Sequence, residues 1–378
     1  MIYFDHNATT PINTKVLEEM LPFFDQRYAN PSSIHSQGRS ARKAIDIARE
    51  QVAALVHAHP SQVVFTSGGT EANNLAIKGT LIGMGCGRVA CSTIEHPSIK
   101  DVVGFFDGAV RRDEVSVDSR GLMAQDDIMR LCENESPLLL SLMLANNETG
   151  AVQNIGKFAR IARAKGHYIH TDAVSAIGKI PVDFEALGVH LMTLSGHKIY
   201  GPKGVGALIY DKSLDLEPLV HGGGQEKGLR SGTENVPAIV GFGKAAEIAK
   251  ADAEKNQNYL SDLQSYFEQK LKSLPGVIIF SGNVERLNNT VFFSVSGIDG
   301  ETLLMMLDEY GIAVTSGSAC SSKSGTPSHV LVAMGIDEIT ARGAIRVSFG
   351  LQNTKAEIEV FLGVLKTIMD YNRQSLTF

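Results

Sequence analysis

Val63-Val64-Phe65-Thr66-Ser67-Gly68-Gly69-Thr70-Glu71 is the stretch that sets the architecture. Four residues suited to a buried strand end abruptly in Ser-Gly-Gly-Thr, and a helix-like run starts at Glu71. Upstream, Ala41, Ile45, Ala48, Val52 and Leu55 recur at three- and four-residue steps and predict an amphipathic helix. Downstream, short apolar runs at Leu138 to Leu144, Tyr168 to Thr171, Leu191 to Leu194 and Val205 to Tyr210 predict further strands. Short, uniformly apolar strands separated by helices indicate an α/β chain with a mostly parallel sheet covered on both faces.

The pattern changes after about residue 245. Leu260, Leu263, Phe267, Leu271 and Leu274 mark a long helix stopped by Pro275-Gly276. A strand at Val291 to Val295, a helix around Leu303, Leu304 and Leu307, and a strand at Ile312 to Val314 follow. Thr354 and Glu357 have the spacing of a capping box, opening a last helix that buries Ile358, Phe361, Leu365 and Ile368. The expected organisation is a large domain, 13–252, and a smaller one built from 1–12 and 253–378.

Composition narrows the function. The chain has 378 residues, 43% hydrophobic and 20% charged, with a formal net charge of −6. That length favours two cores over one. No apolar run approaches the roughly 18 residues of a membrane span, and the first residues have no secretion-signal pattern. A mildly acidic chain without a Lys/Arg cluster is ill suited to nucleic acid. Four cysteines make no disulfide framework and fit a reducing cytoplasm.

Four places offer chemistry. Ser67-Gly68-Gly69-Thr70 can present backbone N–H groups and a helix N-terminus to a phosphate, or be an ordinary capped turn. Asp172 sits just past a buried strand, where open α/β sheets bind ligands, or caps the next element. Ser195-Gly196-His197-Lys198 puts a lysine at another strand end, where desolvation lets it form a Schiff base. Cys320, in Thr315-Ser316-Gly317-Ser318-Ala319-Cys320-Ser321-Ser322-Lys323-Ser324-Gly325, lies in a Gly/Ser run unable to build a core, so an exposed, reactive thiol is expected. Packing is the expected role of Cys86, Cys91 and Cys132. His57-x-His59 lacks partners at metal spacing, and no metal is expected. A phosphate cradle, a strand-end carboxylate and a strand-end lysine together suit pyridoxal 5'-phosphate, which needs all three.

The chain resembles the NifS/IscS-type cysteine desulfurases, in the class V branch of fold-type-I pyridoxal phosphate enzymes. The likeness lies in Tyr3 to Pro11, Asn30 to His35, Thr66 to Asn74, Glu95-His96-Pro97, Asn146 to Gly150, Ser195 to Gly206, Arg230 to Thr233 and Ser316 to Ser321. It implies a seven-stranded, mostly parallel sheet with a smaller α+β domain, and conversion of L-cysteine to L-alanine with a persulfide left on Cys320. By the same likeness Lys198 would hold the cofactor aldehyde, Asp172 would pair with the pyridinium nitrogen, and His96 would stack on the ring and move protons. Gly69, Thr70, Ser195 and His197 would hold the phosphate, with Thr233 reaching in from the other subunit of a homodimer. Asn147 would touch cofactor or substrate, and Arg346 would grip the substrate carboxylate. The cysteine loop, about 316–327, is expected to move and to hand sulfur to a protein acceptor, for iron–sulfur clusters or for tRNA or cofactor thiolation.

Two departures from the family stand out. Ser175 occupies the position where a Gln usually bonds the cofactor's phenolic oxygen, and its shorter side chain would reach through water. Only residues 351–378 follow Gly350, shorter than in the forms that dock an iron–sulfur scaffold. The rival readings are a selenocysteine lyase, an aminotransferase that needs no loop thiol, and a non-catalytic sulfur-assembly partner of the same fold.

Overall fold

The computed structural model describes residues 1–106, 108–316 and 326–375. Its strands in chain order are β1 (Ile2–Tyr3), β2 (Val63–Thr66), β3 (Arg88–Ser92), β4 (Arg111–Val115), β5 (Leu138–Ser141), β6 (Tyr168–Asp172), β7 (Leu191–Ser195), β8 (Gly206–Tyr210), β9 (Val277–Ile279), β10 (Thr290–Val295), β11 (Ile312–Ala313) and β12 (Ala344–Ser348). Seven form one sheet in the order β2-β8-β7-β6-β5-β3-β4. The run β7-β6-β5-β3-β4 is parallel, and β8 alone is reversed, antiparallel to both β2 and β7. Uniformly apolar strands carry no direction, so this reversal is invisible in the hydrophobic pattern.

The strand at Leu138 is shorter than its apolar run. Beyond Ser141 the chain still bonds to β6 and its end: Leu142 N donates to His170 O (3.0 Å) and Leu144 N to Asp172 O (2.9 Å). β4, Arg-Arg-Asp-Glu-Val, escapes the sequence reading because it is an edge strand with one neighbour and exposed charges. The helix Ser36–Leu55 buries Ala41, Ile45, Ala48 and Val52 as their spacing predicts.

A second apolar cluster gathers Phe267, Phe293, Phe349 and Phe361 around Phe4 from the N-terminal segment. Phe4 meets Phe349 edge-on at 5.4 Å between centroids, and Phe267 meets Phe361 at 5.2 Å. β1 pairs in parallel with β11, while β12-β10-β9 is an antiparallel sheet. The helix starting at Lys355 is capped as its sequence announces, Thr354 N donating to Glu357 Oε2 (2.8 Å) and Glu357 N to Thr354 Oγ1 (3.3 Å). No helix among the described residues is long and apolar enough to cross a membrane.

Candidate active site

A cavity of about 320 Å³ opens where β6 and β7 end and the helix Gly69–Gly83 begins. Gly69, Thr70, His96, Asn147, Asp172, Ser175, Ser195, His197, Lys198 and Arg346 all line it, although their positions span most of the chain. The parallel sheet explains the convergence, since successive strands deliver their carboxyl ends to one edge. Thr233 is not among the lining residues and is exposed. Cys320 lies outside the described residues.

Asp172 is 8% exposed, with both oxygens engaged. Val174 N donates to Oδ1 (2.9 Å) and Asn73 Nδ2 to Oδ2 (2.8 Å). Asn73 Nδ2 also donates to Ser98 Oγ (2.9 Å), which lies 2.7 Å from His96 Nδ1. The Ser98 amide donates to the same Nδ1 (3.1 Å), which leaves the proton of a neutral ring on Nε2. Burial lowers the pKa of His96 and the Lys198 cation adds to this, while Asp172 opposes both. The sequence reading missed Asn73, yet it stands one helical turn from Gly69 and so on the same face.

Gly69, Thr70, Ser195 and His197 line the cavity together. Ser195 Oγ is buried and has no partner in the protein. Burial, then the Lys198, Lys203 and Lys179 cations, brings His197 down to about 4, a neutral donor. Its Nδ1 is 3.2 Å from Thr9 Oγ1. An orphaned hydroxyl beside a helix N-terminus is what an anion's oxygens would satisfy. With Asp172 and Lys198 lining the same cavity, these donors fit pyridoxal 5'-phosphate.

Lys198 Nζ donates to the carbonyls of Asn7 and Ala8, the latter at 3.0 Å. Arg346 is 2% exposed; Nη2 pairs with Asp5 Oδ1 (2.7 Å), Nη1 donates to Asn147 O (2.9 Å), and Nε has no partner. Ser175 lines the wall and its carbonyl accepts from Lys179 Nζ (3.1 Å). Elsewhere, exposed His57 pairs with Asp183 (2.7 Å), and His59 caps a short turn by accepting from Ser61 N (3.1 Å). Cys86, Cys91 and Cys132 are buried and unbridged, as expected of packing thiols; burial pushes Cys86 up to about 11 and Cys91 to about 12, and raises Cys132.

Behind His96, Glu95 is fully buried. Ser92 Oγ (2.6 Å) and Met143 N (2.7 Å) both donate to Oε1, and Oε2 has no partner. Burial raises its pKa from 4.5 to about 8, against those two hydrogen bonds. A raised carboxyl pKa means the fold holds a proton the unfolded chain releases, so stability falls as pH climbs between those two values and levels off above. Glu95→Gln keeps the acceptor and cannot ionise. Thermal melts from pH 5 to 9 should show wild type losing stability against Glu95→Gln up to about pH 8, by a few kcal/mol at most. Parallel curves would mean that Glu95 is ionised in the fold.

Comparison with known proteins agrees with this geometry. Residues 2–361 match the family described as Aminotransferase class-V. The chain is 40% identical over 373 residues to a protein named cysteine desulfurase IscS from Dictyoglomus turgidum, covering 98% of this chain and 94% of that one. Among solved structures, a NifS-like protein from Rickettsia africae superposes with a TM-score of 0.90 at 38% identity, covering 98% of this chain and 99% of that chain. A structure titled SspA in complex with cysteine superposes with a TM-score of 0.80 at 34% identity, covering 92% and 99%.

Proposed function

From the premise that this chain belongs to the aminotransferase class-V family and is a pyridoxal 5'-phosphate-dependent cysteine desulfurase, we propose which residues do the work. The observation that carries the assignment is the convergence of Lys198, Asp172, His96 and Arg346 on one cavity. Lys198 would hold the cofactor aldehyde and would take the proton from the substrate Cα. Asp172, fixed by Asn73 and Val174, keeps the ring nitrogen protonated. When bound, the ring supplies an electron sink for charge developing at Cα.

Arg346, which lines the cavity, receives the substrate carboxylate, while Asp5 and the Asn147 carbonyl fix the guanidinium plane. Asn147 closes the wall beside it. His96, with Nδ1 already occupied, offers Nε2 for proton transfer on the cofactor's open face. Gly69, Thr70, Ser195 and His197 hold the phosphate, and Ser175 faces the phenolic side with a shorter reach than Gln. The sulfur step falls to Cys320, since the other three thiols are buried with raised pKa values. Its thiolate attacks the substrate sulfur: the carbon–sulfur bond breaks, a sulfur–sulfur bond forms, and the thiol's proton is balanced by the one Cβ gains in alanine.

We propose a homodimer in which the partner's copy of Thr233 completes the phosphate site. Its support is the exposed apolar series Leu17, Leu21, Phe24, Tyr28 and Ile34, together with the exposure of Thr233 on this chain. A cytoplasmic protein acceptor for the persulfide sulfur completes the reading. The division into 13–252 and 1–12 with 253–378 is supported by Phe4, which packs into the C-terminal apolar cluster.

The test is incubation with L-cysteine and a thiol reductant, measuring alanine and sulfide. Wild type should release them in equal amounts. Cys320→Ala should retain the bound cofactor and lose about 100-fold or more of both products. Equal sulfide from the two proteins would remove Cys320 from the reaction.

A further inference from the structure

Asn7, contributed by the N-terminal segment, is 3% exposed and uses every hydrogen-bonding position of its side chain. Oδ1 accepts from Lys179 Nζ and from Asn289 Nδ2, each at 3.1 Å. Nδ2 donates to Thr290 Oγ1 (2.8 Å) and to Asn147 O (3.1 Å). The Asn147 carbonyl can only accept, so the amide has one orientation. Its backbone is fixed as well, with Asn7 N donating to Ser348 Oγ (2.9 Å).

A backbone clamped at this many points puts its carbonyl in one place, and that carbonyl, with Ala8 O beside it, receives Lys198 Nζ. The Asn147 carbonyl that Asn7 Nδ2 holds is also the one that receives Arg346 Nη1. Lys198 is a long, freely rotating side chain, and its stem alone does not fix the amine. We propose that Asn7, braced by Lys179, Asn289 and Thr290, is the positioning residue that aims the Lys198 amine at the cofactor aldehyde and sets it in register with the substrate-binding arginine. This rests on the assignment of Lys198 given above.

The reaction to follow is the joining itself: the Lys198 amine adds to the aldehyde carbon, a carbon–nitrogen double bond forms and water leaves. Full-length protein stripped of cofactor is mixed with pyridoxal 5'-phosphate, and the growth of the visible absorption band is timed. Pyridoxamine 5'-phosphate is the control ligand; it carries the same ring and phosphate but has no aldehyde, so its affinity reports the pocket without the lysine bond.

Asn7→Ala should slow the band by about tenfold or more, because even a 1 Å displacement of a reacting group is costly. Thr290→Val removes a single hydroxyl from the brace without touching the cavity, and should slow it by about threefold. Pyridoxamine 5'-phosphate affinity should stay within about twofold in both. Wild-type rates in both variants would overturn the proposal, and so would equal losses of rate and of pyridoxamine 5'-phosphate affinity, the mark of a merely structural role. Lys198→Ala forming the same band would overturn the lysine assignment and this proposal together, which separates the two failures.

Discussion

Lys198→Ala should purify colourless and turn over L-cysteine at least about 10⁴-fold more slowly than wild type, a loss of about 5 kcal/mol or more in transition-state stabilisation. Two separate deficits add up in this variant. It has no amine to hold the cofactor aldehyde, and none within reach of the substrate Cα proton. Lys179, the other buried amine nearby, is not a substitute. Its Nζ is held by Asn7 Oδ1 and Ser175 O behind the cavity wall. Burial, with the Lys198 and Arg346 cations, lowers its pKa to about 7, so its place outside the cavity lining, not its protonation, disqualifies it. Visible absorption and alanine release check this directly; a yellow, active variant would put the cofactor on another residue.

Asp172→Asn is the second large effect. Its kcat should fall about 10²- to 10³-fold with KM changed by less than tenfold, the size of effect seen when one preorganised electrostatic group is removed. The substitution removes the charge proposed to keep the ring nitrogen protonated. It also introduces an NH2 group where Asn73 Nδ2 now donates, setting two donors face to face. That mismatch passes to Ser98 and so to His96, because Asn73 holds Ser98 Oγ with its other hydrogen. Asn73→Ala separates the contributions, since it keeps the carboxylate and breaks only the relay. Steady-state kinetics of both variants provide the check, and a near-wild-type Asp172→Asn would show that ring-nitrogen charge does not limit the rate.

The parts of the fold legible in the sequence are those where burial is two-sided. β2, β6 and β7 are buried almost throughout, and Ser67, Asp172 and Ser195 punctuate their ends. β3 is buried throughout yet was missed because it opens with arginine and mixes Ala, Cys and Ser, and β4 because Arg111, Arg112 and Glu114 are exposed. The site divides in the same way. Asp172, Lys198 and the Gly69-Thr70 turn are readable because strand ends announce themselves. Arg346 and Asn147 came only through the family likeness, for neither position carries a local signal. Asn7 was part of a matching stretch, but its role depends on Thr290 and Ser348, contacts separated by 283 and 341 residues, which no local pattern encodes.

The long reach of that N-terminal segment bears on how the protein is made. Asp5 and Asn7 are made well before their partners, Thr290 following Asn7 by 283 residues and Arg346 and Ser348 following Asp5 and Asn7 by 341. At ~5–20 residues per second, the opening strand waits tens of seconds for its partners. The seven-stranded sheet can assemble in that interval, but the amine, the arginine and the N-terminal segment come together only once Arg346 and Ser348 have been made. Until then the growing chain has no finished B6 pocket to load.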